Sequence, residues 1–296
     1  MTKITLLDGG MGQELVHRSG DRPTPLWSTQ VMVDHPGIVQ AVHADYFAAG
    51  ATIATTNSYA VHHDRLAGTP LEGQFDALIA LSLAEAQAAR AAHGSGRIAG
   101  SIGPLIASYR PDIHPAHDIA VPLYAEVANA LAKGCDLIIC ETVASIAHAK
   151  AALEGASQSG KPVWLSLTVN DTDGTRLRSG EPLSDVLAIA GDAAAIRIDC
   201  SMPEAIPAAL DILAQGDKPF GAYANGFTKI TEAFLAHKPT VDALSARQDL
   251  GPEAYAKHAM GWIAQGSTIV GGCCEVGPAH ITELAAQIRA AGHEVV

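Results

Sequence analysis

A single (β/α)8 barrel is the fold this sequence predicts, and three observations predict it. The chain has 296 residues, close to the size such a barrel needs. Short β-rich runs alternate with helical patterns along its whole length. Several runs, Leu137-Ile138-Ile139 among them, are apolar without alternation, as strands are when a parallel sheet is covered on both faces.

The expected strands are Ile4–Asp8, Thr52–Thr56, Arg97–Ser101, Leu137–Glu141, Val163–Thr168, Ala195–Ile198, Pro219–Tyr223 and Thr268–Val270. Helical spacing marks Ile38–Ala49, Phe75–Ala92, Leu123–Lys133, Ile146–Ser157, Leu183–Ala190, Glu204–Ala214, Pro252–Ala264 and Pro278–Ala290. A doubly wound open sheet is the alternative architecture. No Gly/Pro/Ser-rich linker or shift of composition divides residues 1–296, so one domain is expected. Asp173-Gly174 and Gly180 mark turns around an expected mobile loop.

Apolar residues make up 48% of the chain and charged residues 17%, enough to bury a large core. Nineteen basic against thirty-one acidic residues give a formal charge of −12. That sign repels phosphate backbones, so nucleic acid is excluded as a partner, and it mildly favours small cations. Much of the acidity simply keeps a protein dissolved. No apolar run is long enough to cross a bilayer, and no basic stretch with a long apolar region precedes a cleavage site. A cytoplasmic protein without a membrane partner is expected, and a homo-oligomer stays open. Five cysteines, an odd number, point to reduced thiols, metal ligands or a nucleophile over a disulfide framework.

A barrel places its chemistry at the C-terminal ends of its strands. Asp8 closes the first strand, followed by Gly9-Gly10, and Asn57-Ser58-Tyr59 follows the second. Glu141 closes the fourth, Asp199-Cys200 follows the sixth, and Gly271-Gly272-Cys273-Cys274 follows the eighth. In a closed barrel the sixth and eighth strands are separated by one strand, so Cys200, Cys273 and Cys274 can converge on one ion. Three protein ligands with an open position mark a catalytic zinc site, and soft sulfur ligands favour zinc over magnesium or calcium. Adjacent residues of a regular strand face opposite ways; Gly271-Gly272 supplies the freedom to turn the chain. Spacing alone leaves a vicinal disulfide or redox switch open. Cys135 and Cys140 read as buried fillers. His62-His63-Asp64 and His114-Pro115-Ala116-His117 read as solvated loops, and neither a dinucleotide fingerprint nor a phosphate-binding loop is present.

Asp8-Gly9-Gly10-Met11-Gly12, Asn57-Ser58-Tyr59, Gly100-Ser101-Ile102-Gly103-Pro104, Glu141-Thr142 and Val270-Gly271-Gly272-Cys273-Cys274 follow one another in this order. Together they resemble the homocysteine S-methyltransferase family, over a stretch from about Leu6 to Leu284. The resemblance implies a zinc-binding (β/α)8 barrel with Cys200, Cys273 and Cys274 as metal ligands. It also implies transfer of a methyl group from a small onium donor to homocysteine. Asp8 and Glu141 are then acceptors for the substrate ammonium, and Gly9 and Gly10 bring backbone N–H groups toward its carboxylate. Trp27 and Tyr59 supply aromatic faces for an onium donor. In the family the first metal cysteine normally follows an asparagine; here Asp199 stands there. Its carboxylate either faces a cationic donor, the role expected here, or steadies the Cys200 loop.

Overall fold

The computed structural model describes all residues except 22, 23, 25, 27 and 236–243. All eight expected strands form, as β1 (Lys3–Leu6), β2 (Ile53–Thr55), β3 (Arg97–Ile102), β4 (Leu137–Val143), β5 (Val163–Leu167), β6 (Ala195–Asp199), β7 (Phe220–Tyr223) and β8 (Ile269–Val270). They pair in parallel in the order β2-β3-β4-β5-β6-β7-β8-β1. The seam between β1 and β2 closes through a parallel bridge, Leu7 to Ile53, and through the Thr52 amide donating to Leu6 O at 2.7 Å. At the opposite, N-terminal end of that seam a ninth strand, β9 (Glu294–Val295), pairs with β1. The Thr52 hydroxyl donates to Val296 O at 2.7 Å, tying the ninth strand to the segment entering β2.

Two apolar layers result. Inside the cylinder, Leu7, Ile53, Leu137, Ile139, Trp164, Tyr223 and Ile269 form the filling. Outside it, the opposite strand faces pack against the helices, where Ile4, Leu6, Ile98, Ile138 and Leu165 meet Val42, Leu78, Leu131 and Ile288 in one cluster. Both faces of each strand are therefore dry, which is why these strands carry no apolar–polar alternation.

The helices α1 (Met11–Ser19), α2 (Ser28–Asp34), α3 (Ile38–Ala49), α4 (His63–Leu66), α5 (Phe75–His93), α6 (His117–Leu131), α7 (Ile146–Ser157), α8 (Ile206–Leu213), α9 (Pro252–Ala264) and α10 (Pro278–Ala290) complete the described elements, with short 3-10 turns at Pro111–Ile113 and Leu183–Ala188. Five of the expected helices match to within a residue. Helix α6 starts well before the expected Leu123 and carries Pro122 inside it. The expected helix at Leu183–Ala190 is a 3-10 segment, the tighter form that suits a short connection. Helices α1, α2 and α4 and strand β9 were not expected. The loop after β5, expected to be mobile, is tied by two antiparallel bridges, Val169 to Leu177 and Arg176 to Pro182.

Two helix starts show how polar groups are satisfied. The Ser145 hydroxyl accepts from His148 N and caps α7. Helix α3 follows Gly37, which has no side chain to cap it. Glu85 on α5 does so from a distance, accepting from Gly37 N at 3.0 Å and Gln40 N at 2.8 Å. Glu85 is buried, so losing it strands two amides. Glu85→Ala should lower unfolding free energy by about 1–3 kcal/mol, read from denaturant melts, with no change in metal binding; an unchanged midpoint refutes the capping role.

Candidate metal and substrate centre

Cys200 directly follows β6, and its backbone takes φ +45°, a left-handed conformation that non-glycine residues rarely adopt. Regular alternation would turn its side chain away from the side shared by Arg197 and Asp199; the left-handed turn breaks that alternation at the strand end. The other two cysteines leave β8 in a tight turn closed by Val276 N donating to Cys273 O at 3.1 Å. Neighbouring loops hold this turn from both sides: Gly272 N donates to Asp8 O, Cys273 N to Ala224 O, and Gly226 N to Cys274 O.

Glycine is required here for closeness. A Cβ on Gly272 would lie 2.2 Å from Val276 Cγ1, and one on Gly271 2.5 Å from Leu7 Cβ. Neither residue has positive φ, so the expected role in conformational freedom gives way to close packing. The same holds for Gly9, whose Cβ would strike Val276 O at 2.0 Å. Gly10 gives its amide to Val276 O at 2.9 Å, so that N–H is spent within the protein and is not offered to a substrate carboxylate. Both glycines still line the cleft.

The three cysteine sulfurs lie within 4.8 Å of one another. Cys200 Sγ is 2.7 Å from Cys273 Sγ, which is 3.9 Å from Cys274 Sγ. Thiol hydrogen bonds from Cys273 and Cys274 push the Cys200 thiol well below its ordinary value, while holding the Cys200 thiolate raises Cys273 and Cys274. All five cysteines are free. Convergent soft donors of this kind fit a thiophilic metal ion, and no second such cluster occurs among the described residues.

Asp8 and Glu141 line the same cleft. Thr55 engages Asp8 twice, its amide at 2.6 Å and its hydroxyl at 2.7 Å. Burial nevertheless raises the Asp8 carboxyl to about 7. Glu141 accepts from the Ser101 hydroxyl at 2.6 Å and the Tyr223 hydroxyl at 2.9 Å, and burial raises it too. Tyr59 lines the cleft, with its hydroxyl 2.7 Å from Ser108 Oγ and the Arg65 guanidinium 5.6 Å from its ring centre. Trp27 lies outside the described residues.

Asp199 departs from its expected donor-side place. It is fully buried and does not line the cleft among the described residues. Its Oδ2 accepts from Thr142 N at 2.8 Å and lies 3.3 Å from the Tyr223 hydroxyl. As an inward-facing residue of β6 it points into the barrel, near the Tyr223 hydroxyl that also reaches Glu141, the geometry of the steadying alternative.

Several residues at the cleft had not been singled out from the sequence. Tyr109, at φ +60°, holds its ring 6.1 Å from that of Phe234, with the Arg178 guanidinium 5.1 Å from the Tyr109 centroid. Phe227 adds a third ring to the lining. His63 and His117 are solvated as expected, pairing with Glu126 and Glu154 at the surface, but they open helices α4 and α6 instead of lying in loops. The expectation fails for His62, buried with Nε2 3.0 Å from Gly103 O, and for His114, stacked on His148 at 4.6 Å.

A parallel (β/α)8 cylinder with three sulfurs and two carboxylates gathered in one cleft at the C-terminal ends of its strands has the layout of a barrel enzyme with a cysteine cluster that could hold a metal ion. The chain matches the family model described as homocysteine S-methyltransferase over residues 5–288, and it belongs to that family. It is 32% identical to the homocysteine S-methyltransferase of Escherichia coli (strain K12), covering 96% of this chain and 95% of that one. The homocysteine S-methyltransferase YbgG of Bacillus subtilis (strain 168) is 29% identical, with 97% and 95% covered. In structure the chain is similar to the metallated form of the homocysteine methyltransferase MmuM from Escherichia coli, with TM-score 0.80 and 30% identity over 96% of each chain.

The buried carboxyl of Asp8 has a consequence for stability. With its folded value near 7 and an ordinary value of 3.8, the native state keeps a proton that the unfolded chain releases. Native stability from this group is therefore lost as pH rises from about 4 to about 7, and is level above that. Asp8→Asn removes the titration. The variant's stability relative to wild type should climb across that window and then flatten, measured by urea melts at stepped pH on the metal-free protein; a pH-independent difference would place the Asp8 carboxyl in its ordinary range.

Proposed function

We propose that this protein transfers a methyl group from a small onium donor to the thiolate of homocysteine, giving methionine, with zinc held by Cys200, Cys273 and Cys274. S-methylmethionine and S-adenosylmethionine are the favoured donors. The convergence of three thiols with two carboxylates in one cleft carries this reading. Zinc, when bound, lowers the pKa of a substrate thiol so that the thiolate is present at neutral pH.

The protein's own residues do the remaining work by placing charge. Asp8 and Glu141 accept hydrogen bonds from the substrate ammonium and fix the amino-acid end at the cleft floor. The substrate sulfur then attacks the donor methyl carbon. One S–C bond forms, the donor's bond to that methyl breaks, and its electron pair stays on the departing sulfur. No proton moves in that step, so alignment supplies most of the acceleration. The rings of Tyr59, Tyr109, Phe227 and Phe234 border the cleft, giving a sulfonium cation aromatic faces and excluding water. A reducing compartment such as the cytoplasm keeps the three sulfurs free.

Purified protein should methylate homocysteine with one or more sulfonium donors and without a corrinoid protein, followed as methionine formed. No turnover with any sulfonium or quaternary ammonium donor refutes the assignment. Cys200→Ala, Cys273→Ala and Cys274→Ala should each lose bound zinc by elemental analysis, and full retention removes that residue from the ligand set. Glu141→Ala should keep its zinc but lose roughly tenfold to a hundredfold in kcat/KM for homocysteine, as for one charged hydrogen bond.

A further inference from the structure

Strand β6 reads Ala195-Ile196-Arg197-Ile198-Asp199. Alternation sends Ala195, Arg197 and Asp199 to one side, the barrel interior. Arg197 is therefore a guanidinium inside a closed cylinder, and no part of it is exposed. Its Nη2 donates to Ser166 Oγ at 2.6 Å and to the Tyr223 hydroxyl oxygen at 3.4 Å. The Trp164 and Tyr223 ring centres stand 4.9 and 4.7 Å from it. Its Nε and Nη1 have no hydrogen-bond partner among the described residues. An isolated buried cation is costly unless opposite charge lies close by.

That charge stands on the far side of Tyr223. The hydroxyl of Tyr223 lies 2.9 Å from Glu141 Oε1 and 3.3 Å from Asp199 Oδ2. A tyrosine hydroxyl has one proton to give. Arg197 donates to its oxygen, so the proton points away from Arg197, toward the two carboxylates, of which Glu141 is nearer. Asp199 is left with Oδ1 unpartnered. The two carboxylates, Asp199 buried and Glu141 partly buried at the cleft, share one donor and repel each other; among the described residues Arg197 is the one buried arginine or lysine, and it stands against both.

We propose that Arg197 is a positioning residue of the cleft floor, offsetting the paired carboxylates of Glu141 and Asp199 and directing the Tyr223 proton to Glu141, so that Glu141 presents a fixed negative charge to the substrate ammonium. This rests on the amino-acid thiol being the substrate, as proposed above. Arg197 touches neither substrate nor metal in this arrangement; it acts through Tyr223. Its loss disturbs binding of the amino-acid end and leaves methyl transfer from the bound complex largely intact.

A double-mutant cycle on metal-loaded protein tests this. Arg197→Met should raise KM for homocysteine roughly tenfold to a hundredfold while kcat and the donor KM stay within about threefold. Adding Asp199→Asn removes the competing carboxylate, so the double variant should return to within about threefold of the wild-type thiol KM. A merely structural arginine predicts otherwise: kcat and both KM values move together with the unfolding midpoint, and Asp199→Asn gives no rescue. That result overturns the proposal.

If Arg197→Met does not fold, Tyr223→Phe deletes only the hydroxyl and must raise the thiol KM by the same order; wild-type thiol KM in that variant overturns the proposal. Wild-type turnover of homocysteine is the control, and its absence refutes the assigned reaction instead. In that event the cycle is read on unfolding free energies of Arg197→Met or Arg197→Lys with Asp199→Asn. Non-additive effects support the coupling, and additive effects overturn it.

Discussion

Cys200 and Cys273 follow strands that do not pair with each other, because β7 runs between them. Their sulfurs meet only because the chain reverses sharply as it leaves β6 and β8, over a shell of backbone too thin for side chains. The tolerance is small. Gly9, Gly271 and Gly272 each occupy places where one added carbon would come within 2.5 Å of a neighbour. The same contacts carry hydrogen bonds from the β8 turn to Asp8 O and Ala224 O. The sulfur cluster, the β1 loop and the β7 loop are thus one mechanical unit, and the position of Asp8 relative to the sulfurs is set by backbone packing more than by its side chain.

Beneath that unit the barrel interior changes character. Toward the N-terminal ends of the strands it is apolar, with Leu137, Ile139 and Ile269. Toward the cleft it becomes a ladder of charge and ring: Trp164, Arg197, Tyr223, then Glu141 and Asp199. Each rung satisfies part of the one below, and several polar atoms stay unpartnered. A buried polar network left incomplete lowers stability, and among the described residues the unpartnered atoms of Arg197 and Asp199 belong to this part of the barrel. The deviation from asparagine to Asp199 and the cation at Arg197 sit two residues apart on one face of one strand, where their charges offset.

Much of this was legible in the sequence, for identifiable reasons. The eight barrel strands were legible because buried parallel strands are short apolar runs between turn residues. Helices α9 and α10 were clear because each opens with proline at its first position. Helices α1 and α2 were missed because the first begins among glycines and both are short. Strand β9 is two residues long and exists only through its pairing with β1, which no local pattern records. Cys200, Cys273 and Cys274 were legible from strand-end positions, as were Asp8 and Glu141. The direction of Asp199 was not legible: alternation counted from an inward-facing Cys200 turns Asp199 away, and only the left-handed turn at Cys200 leaves Asp199 facing the barrel interior. Arg197 carries a signal of its own: a charged residue in a strand whose neighbours on both sides are apolar belongs to a barrel interior. Tyr109 and Phe234 gave no such signal, since their loops are brought together only by the closed cylinder.

On the proposed chemistry, the charge of the cleft also bears on its turnover. The carboxyls of Asp8 and Glu141 and the low-lying Cys200 thiol line one cleft, and the chain as a whole carries −12. A sulfonium donor arrives as a cation at the reacting centre and leaves as a neutral sulfide. The same field that draws the donor in therefore holds the product less firmly, because the attraction vanishes with the transferred charge. The methylated acceptor keeps its ammonium group, so it retains the contacts to Asp8 and Glu141 while its sulfur, now a thioether, is a weaker partner for a metal than a thiolate. Release of that product depends on how tightly the floor holds the ammonium. A Glu141 fixed too rigidly in charge would slow departure, and one too weakly charged would fail to bind the thiol. A buried arginine acting through a tyrosine hydroxyl, without a direct ion pair to Glu141, leaves that carboxylate charged but unneutralised, between those two extremes.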